Sequence, residues 1–194
     1  MALIIDVETT GLPKRKYHDY KNTDDFENAR MVQFTMMLCD KDLNEIEISD
    51  FIIKAGDFTI NNSDFHGITN EISKESGHDF SKVAEILKEY LTKIDCIIAH
   101  NLSFDANIIK SELFRLDLLD IIEDFNKKKC VCSMLKTKNL VNIKNKYGVK
   151  YPSLAELYQY TFNKKIENAH NSKYDVINLH AILKHLYDNK KITI

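Results

Sequence analysis

The chain opens with an uninterrupted apolar run that ends in two acidic side chains. Leu3-Ile4-Ile5 is typical of a strand buried on both faces, and Asp6 and Glu8 follow with one apolar residue between them. Because side chains alternate along a strand, both carboxylates leave the same face. At a separation of ~5 Å and an effective dielectric constant of ~20, their repulsion is on the order of 3 kcal/mol, which a bound cation would remove.

Further apolar runs and helical periods predict a mixed sheet with helices on its faces. The predicted strands are Met31–Cys39, Ile46–Lys54, Cys96–Ala99 and Val131–Leu135. The predicted helices are a short one after the N-cap Thr69, one over Phe80–Ile94, one over about Ser103–Leu116, one opened by the capping box Ser153–Glu156, and a last one from about Ser172. This order favours an α/β fold whose first strands form an antiparallel hairpin and whose core strands are parallel. The segment 64–69 reads as a loop.

Polar residues follow the predicted parallel strands at the sheet edge where such folds bind ligands. Asp6 and Glu8 end the first strand, and Asn101 and Asp105 follow the next one. Simpler interpretations stay open at this point. An acid such as Asp105 is favoured in a first helical turn by the helix dipole, and Asp175 could form a capping box with Ser172.

Composition and length limit the class of protein. With 194 residues, 44% hydrophobic and 29% charged, the chain is expected to form a single domain over 1–194. The first strand begins practically at Met1 and no apolar stretch is long enough to span a membrane, so we expect an intracellular protein, cytoplasmic or nuclear, without a signal peptide. Four cysteines without a C-x-x-C pair favour reduced, buried thiols over a zinc site.

Charge is unevenly distributed although the net charge is only −2. The segment 126–155 contains eight lysines and no acid, which fits either a solvated surface or a track for a phosphate backbone. The polar segment 14–28 is long for a connection inside a domain. It could hold a phosphate with its cations and stack a base on Tyr17 or Tyr20, or it could be an insertion without a role.

Three acidic motifs, each weak alone, form a specific pattern together. They are Asp6-x-Glu8, His100-Asn101-x-x-Phe104-Asp105 and His170-x-x-x-x-Asp175. Their order and spacing resemble the three motifs of the DEDDh family of 3′–5′ exonucleases, which includes the proofreading (epsilon) subunit of the bacterial replicative DNA polymerase. The resemblance extends to the segments 9–13, 29–33, 66–69 and 151–157. The tyrosine branch of the superfamily would need Tyr at the position of Asn171, so the histidine branch fits.

The resemblance implies a ribonuclease-H-like fold and hydrolysis assisted by two metal ions. An all-oxygen set of four carboxylates is suited to two Mg²⁺ or Mn²⁺ ions rather than to Zn²⁺. By resemblance, Asp6 bridges both ions, Glu8 and Asp175 complete the first site, Asp105 serves the second, and His170 is the general base on a loop. The bulky Tyr174 departs from the small or basic residues that are frequent in the third motif of the family.

The resemblance also implies a pocket for the terminal nucleotide. The predicted substrate-binding residues are Thr9, Leu12, Phe65 and Asn101. For Leu12 and Phe65 the alternative interpretation is packing in the core.

The expected function is therefore that of a metal-dependent 3′–5′ exonuclease that hydrolyses single-stranded or frayed DNA and releases nucleoside monophosphates. Its expected partners are nucleic acid 3′ ends, with single-stranded DNA favoured over RNA, and a polymerase or other replication chain if it proofreads. Trimming of RNA 3′ ends is the alternative, because the sequence does not reveal whether the pocket accepts a 2′-hydroxyl. An inactive nuclease-like binding module is a weaker third interpretation, since all four carboxylates and the histidine are present.

Overall fold

A five-stranded sheet forms the centre of the protein in the computed structural model, which describes residues 1–15, 19–167 and 170–194. Its strands are β1 (Ala2–Thr9), β2 (Met31–Cys39), β3 (Glu45–Ile52), β4 (Cys96–Ala99) and β5 (Lys129–Cys132). The sheet order is β3-β2-β1-β4-β5, antiparallel between β3, β2 and β1 and parallel between β1, β4 and β5. The predicted mixed sheet with an antiparallel hairpin and parallel core strands is confirmed.

Helices cover both faces of this sheet. They are α1 (Ser63–His66), α2 (Asn70–Ser76), α3 (Phe80–Lys93), α4 (Leu102–Arg115), α5 (Leu119–Asn126), α6 (Ser133–Val141), α7 (Leu154–Phe162) and α8 (Ser172–Asp188). A small hairpin of β6 (Lys144–Asn145) and β7 (Gly148–Val149) lies between α6 and α7. The predicted caps are present: Thr69 accepts the Ile72 N–H, and Ser153 and Glu156 form a capping box.

Strand β1 separates two hydrophobic clusters because its side chains alternate between the faces of the sheet. Leu3, Ile5 and Val7 pack with the helices α3, α4 and α5, whereas Ala2 and Ile4 pack with α7 and α8. Asp6 and Glu8 continue the second series. The same alternation that buries the apolar side chains therefore directs both carboxylates toward the face that α8 covers.

The sequence-based boundaries fail where short elements meet. The predicted strand 131–135 is instead the end of β5 followed by α6, and the predicted loop over 64–69 contains the one-turn helix α1. Ser133 begins α6 because its hydroxyl lies 2.9 Å from His100 Nδ1 and 3.3 Å from the Ala99 carbonyl oxygen, which ties the chain to the end of β4. Helix α5 and the β6–β7 hairpin are too short to produce a recognisable period.

Burial corrects the expectation for the cysteines. Cys39 and Cys96 are buried thiols, but Cys130 is exposed and Cys132 half-buried, because β5 is the edge strand of the sheet. In the polar segment 14–28, Tyr20 packs against Phe114 with ring centroids 6.2 Å apart. Tyr17 lies outside the described residues.

Among the helices that the structure describes, none has the length and apolarity needed to cross a membrane.

Candidate active site

Three carboxylates converge at the carboxyl end of β1. Asp6 and Glu8 come from β1, and Asp175 comes from the first turn of α8. One oxygen atom of each lies within 4.8 Å of the corresponding atoms of the other two, a spacing that one cation could bridge. The structure thus brings together the first and third acidic motifs, which are separated by more than 160 positions along the chain.

Asp105 lies beside this group and also forms a hydrogen bond with the backbone of β1. The registered pairs between β1 and β4 end at Ile4 and Ile98, and farther along β1 the Val7 N–H donates to Asp105 Oδ1 at 3.2 Å. The Asp105 side chain is 2% exposed and lies outside the three-carboxylate group. Its charge nevertheless contributes to the raised pKa of Asp6. Asp105 therefore closes the hydrogen bonding of β1 and adds a fourth acid to the site.

Burial raises the pKa of all four acids in the metal-free protein, and repulsion between carboxylates adds to the effect for Asp6, Glu8 and Asp105. Burial, followed by the charges of Asp105, Asp175 and Glu8, holds the pKa of Asp6 well above its usual range. Burial likewise raises the pKa of Asp105, with the charges of Glu8 and Asp175 adding to the effect.

The other two carboxylates shift for similar reasons. Burial and the charge of Asp175 raise the pKa of Glu8 to about 7, and burial raises that of Asp175 to about 6. A divalent cation bound among these four carboxylates would offset their mutual repulsion and favour their ionised forms.

One oxygen of Asp175 supports the interpretation as a metal ligand. Oδ2 accepts the backbone N–H of His170 at 3.2 Å. Oδ1 is buried and has no hydrogen-bond partner among the residues that the structure describes. Since buried polar atoms are almost always satisfied, an orphan carboxylate oxygen next to two further carboxylates fits a cation. The donor set is all oxygen, as hard divalent cations require.

His170 is tethered to this group through its backbone. It has a left-handed conformation with φ of 69°, and its N–H is the donor to Asp175 described above. The residue is exposed, and its neighbours Asn168 and Ala169 lie outside the described residues. The structure thus places the predicted general base at the rim of the acidic site.

The start of α8 is fixed by contacts that sequence reasoning missed. Ser172 is fully buried, and its hydroxyl donates to the Asp6 carbonyl oxygen at 2.6 Å while its N–H donates to Gln33 Oε1 at 3.2 Å. The capping box of Ser172 with Asp175 is therefore wrong, and Asn171 occupies the N-cap position instead. The signal that could have identified Gln33 is an amide side chain inside a strand that is apolar apart from Gln33 and Thr35.

Two of the residues predicted to bind the terminal nucleotide are exposed apolar side chains. Leu12 is 76% exposed and Phe65 70% exposed, so the alternative of core packing is wrong for both. Thr9 is buried, and its hydroxyl donates to the Gly11 carbonyl oxygen at 2.7 Å. Asn62 Nδ2 donates to the Thr9 carbonyl oxygen at 2.9 Å, which attaches the N-terminus of α1, and with it Phe65, to the end of β1.

Asn101 lies at the end of β4 where α4 begins. It is exposed, occupies the N-cap position with φ of 68°, and makes no side-chain capping bond with the described residues. Both ring nitrogens of the preceding His100 have partners within the protein. Nδ1 lies 2.9 Å from Ser133 Oγ, and Nε2 lies 3.0 Å from the Pro152 carbonyl oxygen. These contacts connect the ends of β4 and β5 to the segment before α7.

Comparison with known proteins shows the family of the chain and supports its fold. The family model RNase_T, described as exonuclease, matches residues 3–183. Comparison with curated proteins finds no significant match. The structure is similar to that of E. coli exonuclease I in complex with a dT13 oligonucleotide, with a TM-score of 0.75, 19% sequence identity, and coverage of 98% of this chain and 41% of that chain. The chain thus spans less than half the length of exonuclease I.

A second similar structure has a more similar length. Exonuclease X in complex with 5′ overhanging duplex DNA gives a TM-score of 0.60 at 18% identity and covers 100% of this chain and 95% of that chain. The similarity to the epsilon subunit in particular stays a prediction. Since the family model covers nearly the whole chain, the protein belongs to the RNase_T family of exonucleases, in agreement with the predicted enzyme class and ribonuclease-H-like fold.

Proposed function

We propose that this protein is a metal-dependent 3′–5′ exonuclease that hydrolyses single-stranded or frayed DNA and releases nucleoside monophosphates. The observation that carries the proposal is the group of three carboxylates within 4.8 Å, one of whose buried oxygens has no partner among the described residues. Exonuclease I and exonuclease X, which share the fold, are both known in complex with DNA.

The acidic residues would hold two Mg²⁺ or Mn²⁺ ions. Asp6, Glu8 and Asp175 would hold one ion, and Asp6 and Asp105 the second. When bound, the ions supply Lewis-acid stabilisation of the charge that develops on the phosphate. Ser172 supports this role of Asp6 by fixing the backbone of β1 against α8.

His170 would act as the general base in the reaction. Its imidazole accepts a proton from the water whose oxygen attacks the terminal phosphodiester phosphorus, and the bond between phosphorus and the 3′ oxygen breaks. The leaving 3′ oxygen takes up a proton from solvent, so the products are a nucleoside 5′-monophosphate and a strand shortened by one nucleotide with a new 3′-hydroxyl. An imidazole suits this step because its ordinary pKa lies near working pH.

The pocket residues would select a strand end. Leu12 and Phe65 present exposed apolar surface next to Thr9 at the end of β1, and a terminal base can stack on Phe65 whatever its sequence. Asn101 would contact the sugar–phosphate backbone from the end of β4. A polymerase or another replication chain as partner, and a single domain over 1–194, remain part of the proposal.

Degradation of a 5′-labelled single-stranded DNA tests the proposal. We expect a ladder of products shortened in single steps with Mg²⁺ or Mn²⁺, no reaction with chelator, and loss of activity by at least about 1,000-fold in Asp6→Asn. The matched control is Glu85→Gln, an exposed carboxylate on α3, which should cleave like the parent protein. Full activity in Asp6→Asn would contradict the mechanism, and faster cleavage of a matched RNA would assign the protein to RNA trimming.

A further inference from the structure

The lysine-rich, acid-free segment 126–155 has two parts, one before the amino end of β5 and one after its carboxyl end. Lys127 pairs with Asp124 at 2.8 Å, and Lys128 donates to the Ile94 carbonyl oxygen at 3.0 Å, both before β5 begins. The remaining part continues beyond the carboxyl end of β5, which is the edge that carries the acidic site. The second part therefore begins at the end of the parallel strands that carries the acidic site.

The second part reaches the neighbourhood of the site through the segment that joins the β6–β7 hairpin to α7. Its Pro152 carbonyl oxygen lies 3.0 Å from His100 Nε2, and His100 directly precedes Asn101. The Lys150 N–H donates to the Ile143 carbonyl oxygen at 2.9 Å, which closes the base of the hairpin. The segment that follows the hairpin is thus attached to the end of β4, beside the predicted substrate-binding residue Asn101.

Two tyrosines in this second part are exposed and each lies next to a lysine. Tyr147, in the hairpin turn, is 84% exposed, and Tyr151 is 49% exposed. Lys146 Nζ lies 4.9 Å from the centre of the Tyr147 ring, and Lys138 Nζ lies 4.4 Å from that of Tyr151. Each pair presents a flat aromatic face together with a positive charge.

The lysines of this surface are largely uncompensated. Lys150 pairs with Glu156 at 2.6 Å, but Lys138, Lys144 and Lys146 form no ion pair with any residue that the structure describes. Aromatic faces interleaved with free cations match single-stranded nucleic acid, whose bases stack and whose phosphates attract ammonium groups. A duplex keeps its bases stacked internally and offers only its phosphates to such a surface.

We propose that Lys138, Lys144, Lys146, Tyr147 and Tyr151 bind the part of a single strand that lies 5′ of the nucleotide being removed. This inference rests on the proposed exonuclease function and adds to it a second contact region, outside the pocket for the terminal nucleotide. The surface, named here the hairpin platform, makes affinity depend on strand length. Short products lose these contacts and dissociate, whereas a long strand remains bound between successive cleavage steps.

Fluorescence anisotropy with labelled dT20 and dT3 in chelator tests the platform without any hydrolysis. Neutralising its three free lysines (K138A/K144A/K146A) should reduce the slope of log Kd against log salt by about 2 for dT20, at about 0.7 per phosphate contact. Tyr147→Ala and Tyr151→Ala should each weaken dT20 binding by about tenfold, since one stacked base is lost. In each variant the preference for dT20 over dT3 should shrink.

The matched control also removes three positive charges, but at the end of the strands that lies away from the acidic site. K41A/K127A/K128A alters the β2–β3 turn and the segment before β5, and it should bind dT20 with the salt slope of the parent protein. Equal weakening in both triple variants would overturn the proposal in favour of a general charge effect. An equal loss of affinity for blunt duplex DNA would overturn single-stranded nucleic acid as the occupant.

The two proposals fail in different ways. If the protein binds dT20 through the platform but never shortens it with Mg²⁺ or Mn²⁺, the proposed exonuclease function fails and with it the positional assignment of the platform. If the parent protein degrades dT20 and the platform variants bind and degrade it equally well, the platform alone is wrong. Circular dichroism and urea unfolding of each variant establish that the comparison is made between folded proteins.

Discussion

Replacing Glu8 with glutamine is expected to stabilise the metal-free protein at neutral and alkaline pH. Burial and the charge of Asp175 raise the pKa of Glu8 from 4.5 to about 7. Between these two values the native state binds more protons than the unfolded state, so stability falls as the pH rises. The contribution of Glu8 is fully present below pH 4.5 and is lost as the pH rises through about 7.

The size of the effect follows from the pKa shift. At about 1.4 kcal/mol per pKa unit, the ionised Glu8 costs about 3 kcal/mol at full effect. Its partial exposure to solvent reduces the expected gain in Glu8→Gln to about 2 kcal/mol at pH ~8. At pH ~5 the native Glu8 is protonated, and the gain should be below about 1 kcal/mol.

Urea unfolding in chelator at the two pH values measures this difference. The parent protein, Glu8→Gln and the control Glu85→Gln are compared, and the control should change the free energy of unfolding by less than about 0.5 kcal/mol at both. A Glu8→Gln variant that is no more stable than the parent at pH ~8, or equally more stable at both pH values, would refute the reasoning. Added Mn²⁺ should reverse the order, because only the parent keeps the complete ligand set.

Three more predictions concern the third motif and its contacts. Mn²⁺ should raise the melting temperature of the parent by several degrees and that of Asp175→Asn by less than half as much, as measured by calorimetry; equal shifts would exclude Asp175 as a ligand. Ser172→Ala should lower the free energy of unfolding by about 1–2 kcal/mol, because it leaves the Asp6 carbonyl without its 2.6 Å donor, and an unchanged urea midpoint would contradict this. His170→Gln should lower kcat by about 100-fold or more while leaving the Mn²⁺-dependent rise in melting temperature unchanged; an unaltered kcat would assign the proton transfer to another group.

The sequence predicts the acidic site well because its signals are local. Strand alternation alone places Asp6 and Glu8 on one face of β1. The apolar run before them indicates that they lie at the carboxyl end of this buried strand. Asp175 could be assigned only together with the other motifs, since its position in a first helical turn is equally typical of a capping residue. The boundaries of β2 and β4 follow from apolar-rich runs, and the extent of α3 follows from its helical period.

Other features depend on contacts that no local pattern encodes. Ser172 looks like a capping residue, yet its hydroxyl binds the carbonyl of a residue 166 positions away. Leu12 and Phe65 are apolar and would ordinarily be core residues, but the turn after β1 and the one-turn helix α1 leave them exposed. The bond from Val7 to Asp105 arises only because β4 stops pairing with β1 at Ile98.

The hydrogen bond between Asp105 and β1 also affects which substitutions would accumulate in descendants of this protein that are no longer selected for nuclease activity. Loss of Glu8 by mutation to a neutral residue is expected to be tolerated, since it relieves repulsion. Loss of Asp105 by mutation to alanine leaves the Val7 N–H without its acceptor, at a cost of about 1–3 kcal/mol. We therefore expect inactive descendants of this chain to keep an aspartate or asparagine at position 105 after the other carboxylates have drifted away.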